Sequence, residues 1–406
     1  MVCRKNKKDM KVCDIKNLNI LYVAPRYHTN QVPIMRGWHE NNCRVMFMAE
    51  YEGVSEVHDY VEFYSLKQSV LSKIISKFIE RKYSSSEAEW KKVKLFIPNV
   101  RDTVNTIKKF NPDLVILRDR HLTNMLIYYI CRMLKINKCI LYVQEPICGN
   151  MQTESLFKRY IKKLLFPSVV FSPVLYFGKV REVSNASHMW FVPLVAEKGD
   201  KTFKIRDNYF SNGTIHFLDV GKYREYKNHF FLVDVFEKIK SQIKGVDIKL
   251  TIIGQLSNSD EEEYYTRLKD YIKEKALEDV IETRKNIPFR EMKDLYTKQD
   301  VLLLPSTYES AGMVILEAME NGLCVVASIY CGLSSYLEEY QCGYTFDIKD
   351  TTDLEKILLD LINQKELIRQ NGNKGIEIIR KKLCFENYVQ ALNKLTEKEF
   401  DFSILG

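Results

Sequence analysis

"DVLLLPSTYESAGMVILEAMENGLCVVAS", residues 300–328, decides the fold. Its opening segment, "DVLLLPS", is too continuously apolar for a strand with one wet face. A loop from Thr307 to Gly312 follows, a helix begins near Met313, Gly322 ends it, and the apolar strand "LCVVAS" closes the unit. Near-continuous hydrophobic strands separated by a helix indicate a parallel sheet covered on both faces.

The same alternation runs outward in both directions. First-half strand segments fall at 18–25, 44–50, 113–119, 138–145, 168–173 and 189–195. Second-half segments fall at 214–221, 248–254, 279–284, 300–306, 323–328 and 343–347, with helical stretches such as 228–243 and 261–277 between them. Between the two sets lies a polar interval, 195–213, read as a linker. We therefore expect an α/β chain of two Rossmann-like doubly wound domains, 1–195 and 196–384, facing a central cleft, with a last helical segment at 385–406. In such sheets ligands bind beyond the carboxyl ends of the strands.

Bulk properties narrow the class. A 406-residue chain can bury two cores, and 46% hydrophobic with 28% charged residues belongs to a globular protein. No apolar run reaches membrane-spanning length, and "MVCRKNKKDMKVCDIKN" is basic without the apolar segment of a secretory signal. The expected location is cytoplasmic, with association at the inner face of the cell membrane left open. Ten scattered cysteines show no zinc spacing and read as small core residues. Residues 1–195 carry 31 Lys/Arg against 17 Asp/Glu, and the remainder 30 against 36. A basic first half suits something anionic, such as a membrane surface, a lipid phosphate or nucleic acid. Its positive residues are dispersed and carry no nucleic-acid-binding motif, so no nucleic-acid partner is expected.

Candidate site residues cluster at strand ends. "TIHFLDVG" ends at Gly221, which would free the backbone for a sharp turn, and Lys222 and Lys227 follow. Two ammonium groups there can bind a diphosphate as point charges; a solvated basic loop is the plain alternative. In the opening stretch, Gly312 would let the backbone approach a ligand, and the free N–H groups at the helix start favour an anion. Glu309 and Glu317 can accept from hydroxyls on either side of that anion. A ligand with hydroxyls flanking a diphosphate is a nucleotide sugar. The alternative is a helix-start glutamate and a second one on an exposed face.

The run "ESAGMVILE" from Glu309 to Glu317, followed by "AMENGLCVVAS", closely resembles the E-x7-E signature of the retaining glycosyltransferases of family 4. Gly221-Lys222 with Lys227 resembles that family's G-R…K element, lysine standing where arginine is usual. The resemblance covers most of 189–396 and is much weaker before Val195. It implies a GT-B fold, donor bound by the second domain and acceptor by the first, with the 385–406 helix crossing back to the first. Lys222 and Lys227 would hold the donor diphosphate, Glu309 the sugar and Glu317 the ribose. Ser310, Ala311, Gly312, Met313 and Val314 would supply amides, and the loop with Ile287 and Phe289 would cover the base. The implied chemistry is retaining, needs no cofactor beyond the nucleotide-diphosphate sugar that is its donor, and is metal-independent. The sequence offers no D-x-D, and "DEEE" at 260–263 reads as a solvated helix start.

In the first half, "APRYHTNQVP" stands where family members often carry a glycine-rich loop. "LRDRHL" brings Arg118, Arg120 and His121, and Glu145 ends the next strand segment; these four are the acceptor candidates. With Lys222, Lys227 and Glu309, His121 completes the candidate catalytic set, none of them assigned as a general base. Two amphipathic stretches, 66–82 and 156–166, are either core-covering helices or a membrane-facing surface. The first would place Leu66, Val70, Ile74 and Phe78 on one face. The expected function is sugar transfer to a glycan or polyprenyl-linked acceptor in cell-surface polysaccharide synthesis. A non-catalytic nucleotide-sugar-binding subunit and a GT-B epimerase are the alternatives. A phosphorylase is disfavoured, since no segment suggests a pyridoxal-phosphate lysine.

Overall fold

The computed structural model describes residues 17–52, 58–83, 91–148, 156–181, 189–196 and 205–399. The first domain runs β1 (Asn19–Ala24), α1 (Val32–Glu40), β2 (Arg44–Ala49), β3 (Glu62–Ser65), α2 (Val70–Lys82), α3 (Val100–Phe110), β4 (Leu114–Arg118), α4 (Leu122–Met133), β5 (Cys139–Tyr142), α5 (Leu156–Leu165), β6 (Val170–Ser172) and β7 (Met189–Phe191). Its seven strands are all parallel in the order β3-β2-β1-β4-β5-β6-β7. The central strands, β1 and β4, are buried almost without exception, which is why they read as unbroken apolar runs.

The second domain begins with β8 (Ile215–Lys222), α6 (His229–Gln242), β9 (Ile248–Gln255), α7 (Ser259–Glu274), β10 (Ile281–Lys285) and α8 (Phe289–Tyr296). It continues with β11 (Val301–Leu304), α9 (Val314–Glu320), β12 (Cys324–Ser328), α10 (Ser334–Glu339), β13 (Gly343–Phe346), α11 (Thr351–Asn363) and α12 (Lys365–Lys382). Its six parallel strands take the order β10-β9-β8-β11-β12-β13. The final helix, α13 (Phe385–Glu399), lies with the first sheet: Tyr388, Val389, Leu392 and Leu395 share a core with Ile20, Tyr22 and Trp38. Phe385 meets the Trp38 ring edge to face at 5.0 Å.

In each sheet the strand order reverses once, between β1 and β4 and between β8 and β11. Loops leaving adjacent strands there turn to opposite faces and open a crevice. All four loops carry candidate residues or lie beside them. The two domains also touch through the segment after β6. Tyr336 Oη donates to Pro173 O at 2.9 Å, Gly178 N to Ile329 O at 2.8 Å, and Phe177 stacks on Tyr308 at 5.6 Å.

Three sequence readings need correction. β3 was not expected: it is a four-residue edge strand with mixed polarity and a single neighbour, so it lacks the apolar signature of its companions. Gly221 makes no sharp turn, because β8 runs through it to Lys222, paired with Gly254 and Gln255 of β9. Within the 195–213 interval Arg206 is buried, and its Nη1 donates to Gln299 O at 2.5 Å. Leu66 is buried ahead of α2, whereas Val70, Ile74 and Phe78 on the helix are exposed. That face does not cover the core.

Candidate active site

The loops leaving β8 and β11 are stitched together at the second switch point. Thr307 N donates to Tyr226 O at 2.8 Å, and Asn228 Nδ2 to Pro305 O at 3.3 Å. The turn after β8 brings Lys227 back against the strand, where a side chain on Gly221 would lie 3.0 Å from Lys227 Cδ. Space for that lysine stem is the requirement that Gly221 meets. Lys227 is buried and its ammonium forms an ion pair with the Glu309 carboxylate. Burial alone would depress the ammonium's pKa; the charge and hydrogen bond of Glu309 outweigh it and hold it above the ordinary lysine value.

Glu309 is fixed by its backbone. Its N–H donates to Tyr330 O at 3.0 Å and its carbonyl accepts from Gly332 N at 3.0 Å. Gly312 sits at φ +81°, where a Cβ would also lie 3.3 Å from Glu309 Cγ, so glycine is needed on both counts. The N–H groups of Ser310, Ala311, Gly312, Met313 and Val314 have no protein acceptor among the described residues. Glu317, on the first turn of α9, accepts from the buried Tyr296 hydroxyl at 2.7 Å. Lys222 ends β8, half-buried, with no ion pair among the described residues. Ile287 packs against the core that contains Leu295 and Ala311; Phe289 opens α8, and its side chain lies outside the described residues.

One partner was invisible in the sequence. Glu261, from the acidic run expected to be solvated, is 1% exposed and accepts from Arg224 Nε at 2.6 Å and Ser257 N at 2.7 Å. It thereby pins the loop between Lys222 and Lys227. The run does start a helix, since Asn258 Oδ1 accepts from Glu261 N at 3.0 Å. Deeper still, Asp219 Oδ2 and His229 Nε2 stand 3.1 Å apart with both residues buried.

At the first switch point, Arg118 ends β4 and Arg120 and His121 follow it. Arg120 Nη1 lies 2.6 Å from Glu145 Oε1, so two of the acceptor candidates satisfy each other. Glu145 lies three residues beyond the end of β5, on the loop and not on the strand. Arg118 is buried, 3.7 Å from the Asp119 carboxylate and near the Tyr142 ring, with Nε and Nη1 lacking hydrogen-bond partners among the described residues. His121 caps α4 by backbone alone; its Nδ1 is buried with no hydrogen-bond partner among the described residues, and burial holds its pKa below the ordinary value despite Asp119. The sequence reading nominated nothing from the β1 loop. His28 there is pushed down to about 3 by burial, then by the charges of Arg118 and Arg26, so it is neutral at physiological pH. The signal was present in "APRYHTNQVP", whose cationic and imidazole side chains leave the strand beside β4.

Comparison with known proteins follows these boundaries. The family model described as Glycosyl transferases group 1 matches residues 200–377. A D-inositol 3-phosphate glycosyltransferase of Pseudarthrobacter chlorophenolicus is 30% identical over 142 residues, covering 35% of this chain and 33% of that protein. The chain thus spans about a third of that curated relative. Among solved structures, a glycosyltransferase from Rickettsia africae aligns with a TM-score of 0.68 at 13% identity, over 95% of this chain and 99% of its own. Anabaena HepE, solved with UDP and glucose, aligns at 0.62 and 13% identity, over 94% and 99%. The architecture is the two-domain GT-B fold.

Proposed function

We propose that this chain transfers a sugar, with retention at the anomeric carbon, from a nucleotide-diphosphate sugar to a glycan or lipid-linked glycan. The observation that carries the reading is the buried Lys227–Glu309 pair at the β8/β11 switch point, beside the acceptor-free amides of residues 310–314. An ammonium has three donors, so Lys227 can keep Glu309 and still bind a phosphate oxygen. Departure of the nucleoside diphosphate builds negative charge, which Lys222, Lys227 and those amides are placed to stabilise. Glu309 takes donor sugar hydroxyls, Glu317 the ribose, and Ile287 with Phe289 the base. No metal is assigned a part, since the ammonium groups and amides neutralise the leaving group. Arg118, Arg120, His121 and Glu145 receive the acceptor across the cleft. Work in cell-surface polysaccharide synthesis fits the basic first half.

Thermal stabilisation by a panel of nucleotide sugars, with UDP-sugars first because UDP is bound in the HepE structure, tests the reading. Donor at a hundred times its dissociation constant adds about 2.7 kcal/mol to the folded state. Stabilisation by one nucleotide class, lost in Lys227→Ala, is expected; no shift with any donor would overturn it.

A further inference from the structure

We propose that α2 seats the first domain on an anionic lipid bilayer. On this thirteen-residue helix Val70 is 76% exposed, Leu71 57%, Ile74 60% and Phe78 63%. At 100° per residue these four span an arc of about 100°, the width of a whole apolar face. The opposite side is the one that docks on the domain: Ser72 is 1% and Ile79 4% exposed, and Ser72 Oγ accepts from Ile97 N at 3.2 Å. The apolar face is therefore directed to the outside. Exposed Lys73, Lys77 and Lys82 flank it, exposed Arg81 lies within it at the helix end, and the helix's single acid, Glu80, is paired with Lys92 at 2.5 Å.

Charge selects the occupant. A second copy docked through the same face would bring two sets of these cations together, which costs energy. An anionic bilayer accepts the apolar arc between its headgroups and pairs with the flanking cations. The first half's excess of 31 basic over 17 acidic residues extends that attraction beyond the helix.

The seat connects to the first switch point. α2 starts five residues after β3 ends, at the carboxyl edge of the sheet from which the candidate acceptor loops leave. Ser69 N donates to Ile97 O at 2.9 Å, and the neighbouring Phe96 O accepts from Thr123 Oγ1 of α4 at 3.1 Å. One bonded segment thus joins the start of α2 to the helix that follows Arg118–His121. If the transferase reading holds, the acceptor is presented from the membrane plane; the seat itself does not depend on it.

Co-sedimentation with vesicles tests the proposal, using pure phosphatidylcholine and vesicles in which a third of the lipid is phosphatidylglycerol. The wild type should pellet with the second and not the first, with release at high salt. Ile74→Asp/Phe78→Asp should lower the bound fraction by about tenfold or more, and Lys73→Glu/Lys77→Glu should also weaken it. These positions are exposed, so unchanged circular dichroism and an unchanged nucleotide thermal shift show an intact protein. A wild type that ignores anionic vesicles overturns the proposal, as do variants that bind like wild type. A Phe78-dependent dimer without lipid binding overturns it in favour of a second copy. Vesicle binding in a protein that no nucleotide stabilises would refute the transferase reading and leave the seat in place.

Discussion

Glu309 and Lys227 should not cost the same to remove. The lysine side chain is 11% exposed and the glutamate side chain 23%. Glu309→Ala leaves an ammonium in a dry place without a partner, a loss of about 3–5 kcal/mol for fully buried pairs. Because a fifth of Glu309 already reaches water, we expect less than that, about 2–3 kcal/mol. Lys227→Met instead removes the ammonium's own desolvation cost, keeps an unbranched stem beside Gly221, and leaves a carboxylate that the cleft can hydrate; about 0–1 kcal/mol is expected. The double variant should fall close to Lys227→Met alone, giving a coupling of about 2 kcal/mol. Urea unfolding of the four proteins supplies the cycle. The raised lysine pKa fixes the pH window: the pair's stabilisation is complete below the ordinary lysine value and is lost as pH climbs through the higher folded value. The cycle should therefore read the same at any pH between ~6 and ~9. Equal costs, or a costlier Lys227→Met, would mean the ammonium is hydrated and the pair merely superficial.

Two further outcomes follow from local geometry. Gly312→Ala forces a side chain into left-handed backbone and onto Glu309 Cγ, costing about 1–2 kcal/mol of stability. Its donor KM should rise more than a stability loss explains, and an unchanged KM would remove Gly312 from the site. Glu50, buried at the end of β2, has its pKa pushed up to about 8 by burial against an ordinary 4.5, with the Thr123 hydroxyl opposing. The folded protein then holds a proton that the unfolded chain has released, so stability falls as pH rises from ~4.5 towards ~8, by up to about 5 kcal/mol. Glu50→Gln should flatten that slope and exceed wild type in stability at pH 8 in thermal melts. A variant with the wild-type slope would assign the pH dependence elsewhere.

The hydrogen bonds around Glu50 accommodate the protonated form as well as the ionised one. Thr123 Oγ1 lies 2.6 Å from Glu50 Oε1 and 3.1 Å from Phe96 O. One hydroxyl has one hydrogen. If it goes to the Phe96 carbonyl, the short contact to Glu50 needs a proton from the carboxyl. The sequence showed none of this, because the burial of Glu50 is decided by how α4 and the 96–99 segment close over the end of β2.

What was legible followed from burial on both faces. β11 and β12 were readable because each is a near-continuous apolar run beside a helix, and the spacing from Glu309 to Glu317 put one carboxylate before α9 and one within it. β3 was lost because its four residues, EFYS, are half-buried at best and form no such run. Pairings across the fold, Arg224 with Glu261 or Arg120 with Glu145, join residues 37 and 25 positions apart and leave no periodic trace. The case of α2 is different in kind. Helical periodicity says that one face is apolar, but not whether that face looks towards the core or away from it. Only the docking of Ser72 and Ile79 settles the direction.

The charge distribution is consistent with two separate anionic clients. The remainder of the chain after residue 195 holds 30 basic against 36 acidic residues, although it carries the lysines assigned to a diphosphate. At physiological ionic strength charges beyond about 8 Å are largely screened. Donor recognition must therefore come from groups within contact range, and Lys222, Lys227 and the free loop amides are such groups. The positive excess of the first half is dispersed along the chain. On the proposed membrane seat it would act where many cations meet an extended negative surface at once, and the exposed apolar face of α2 marks where on the domain that surface would be.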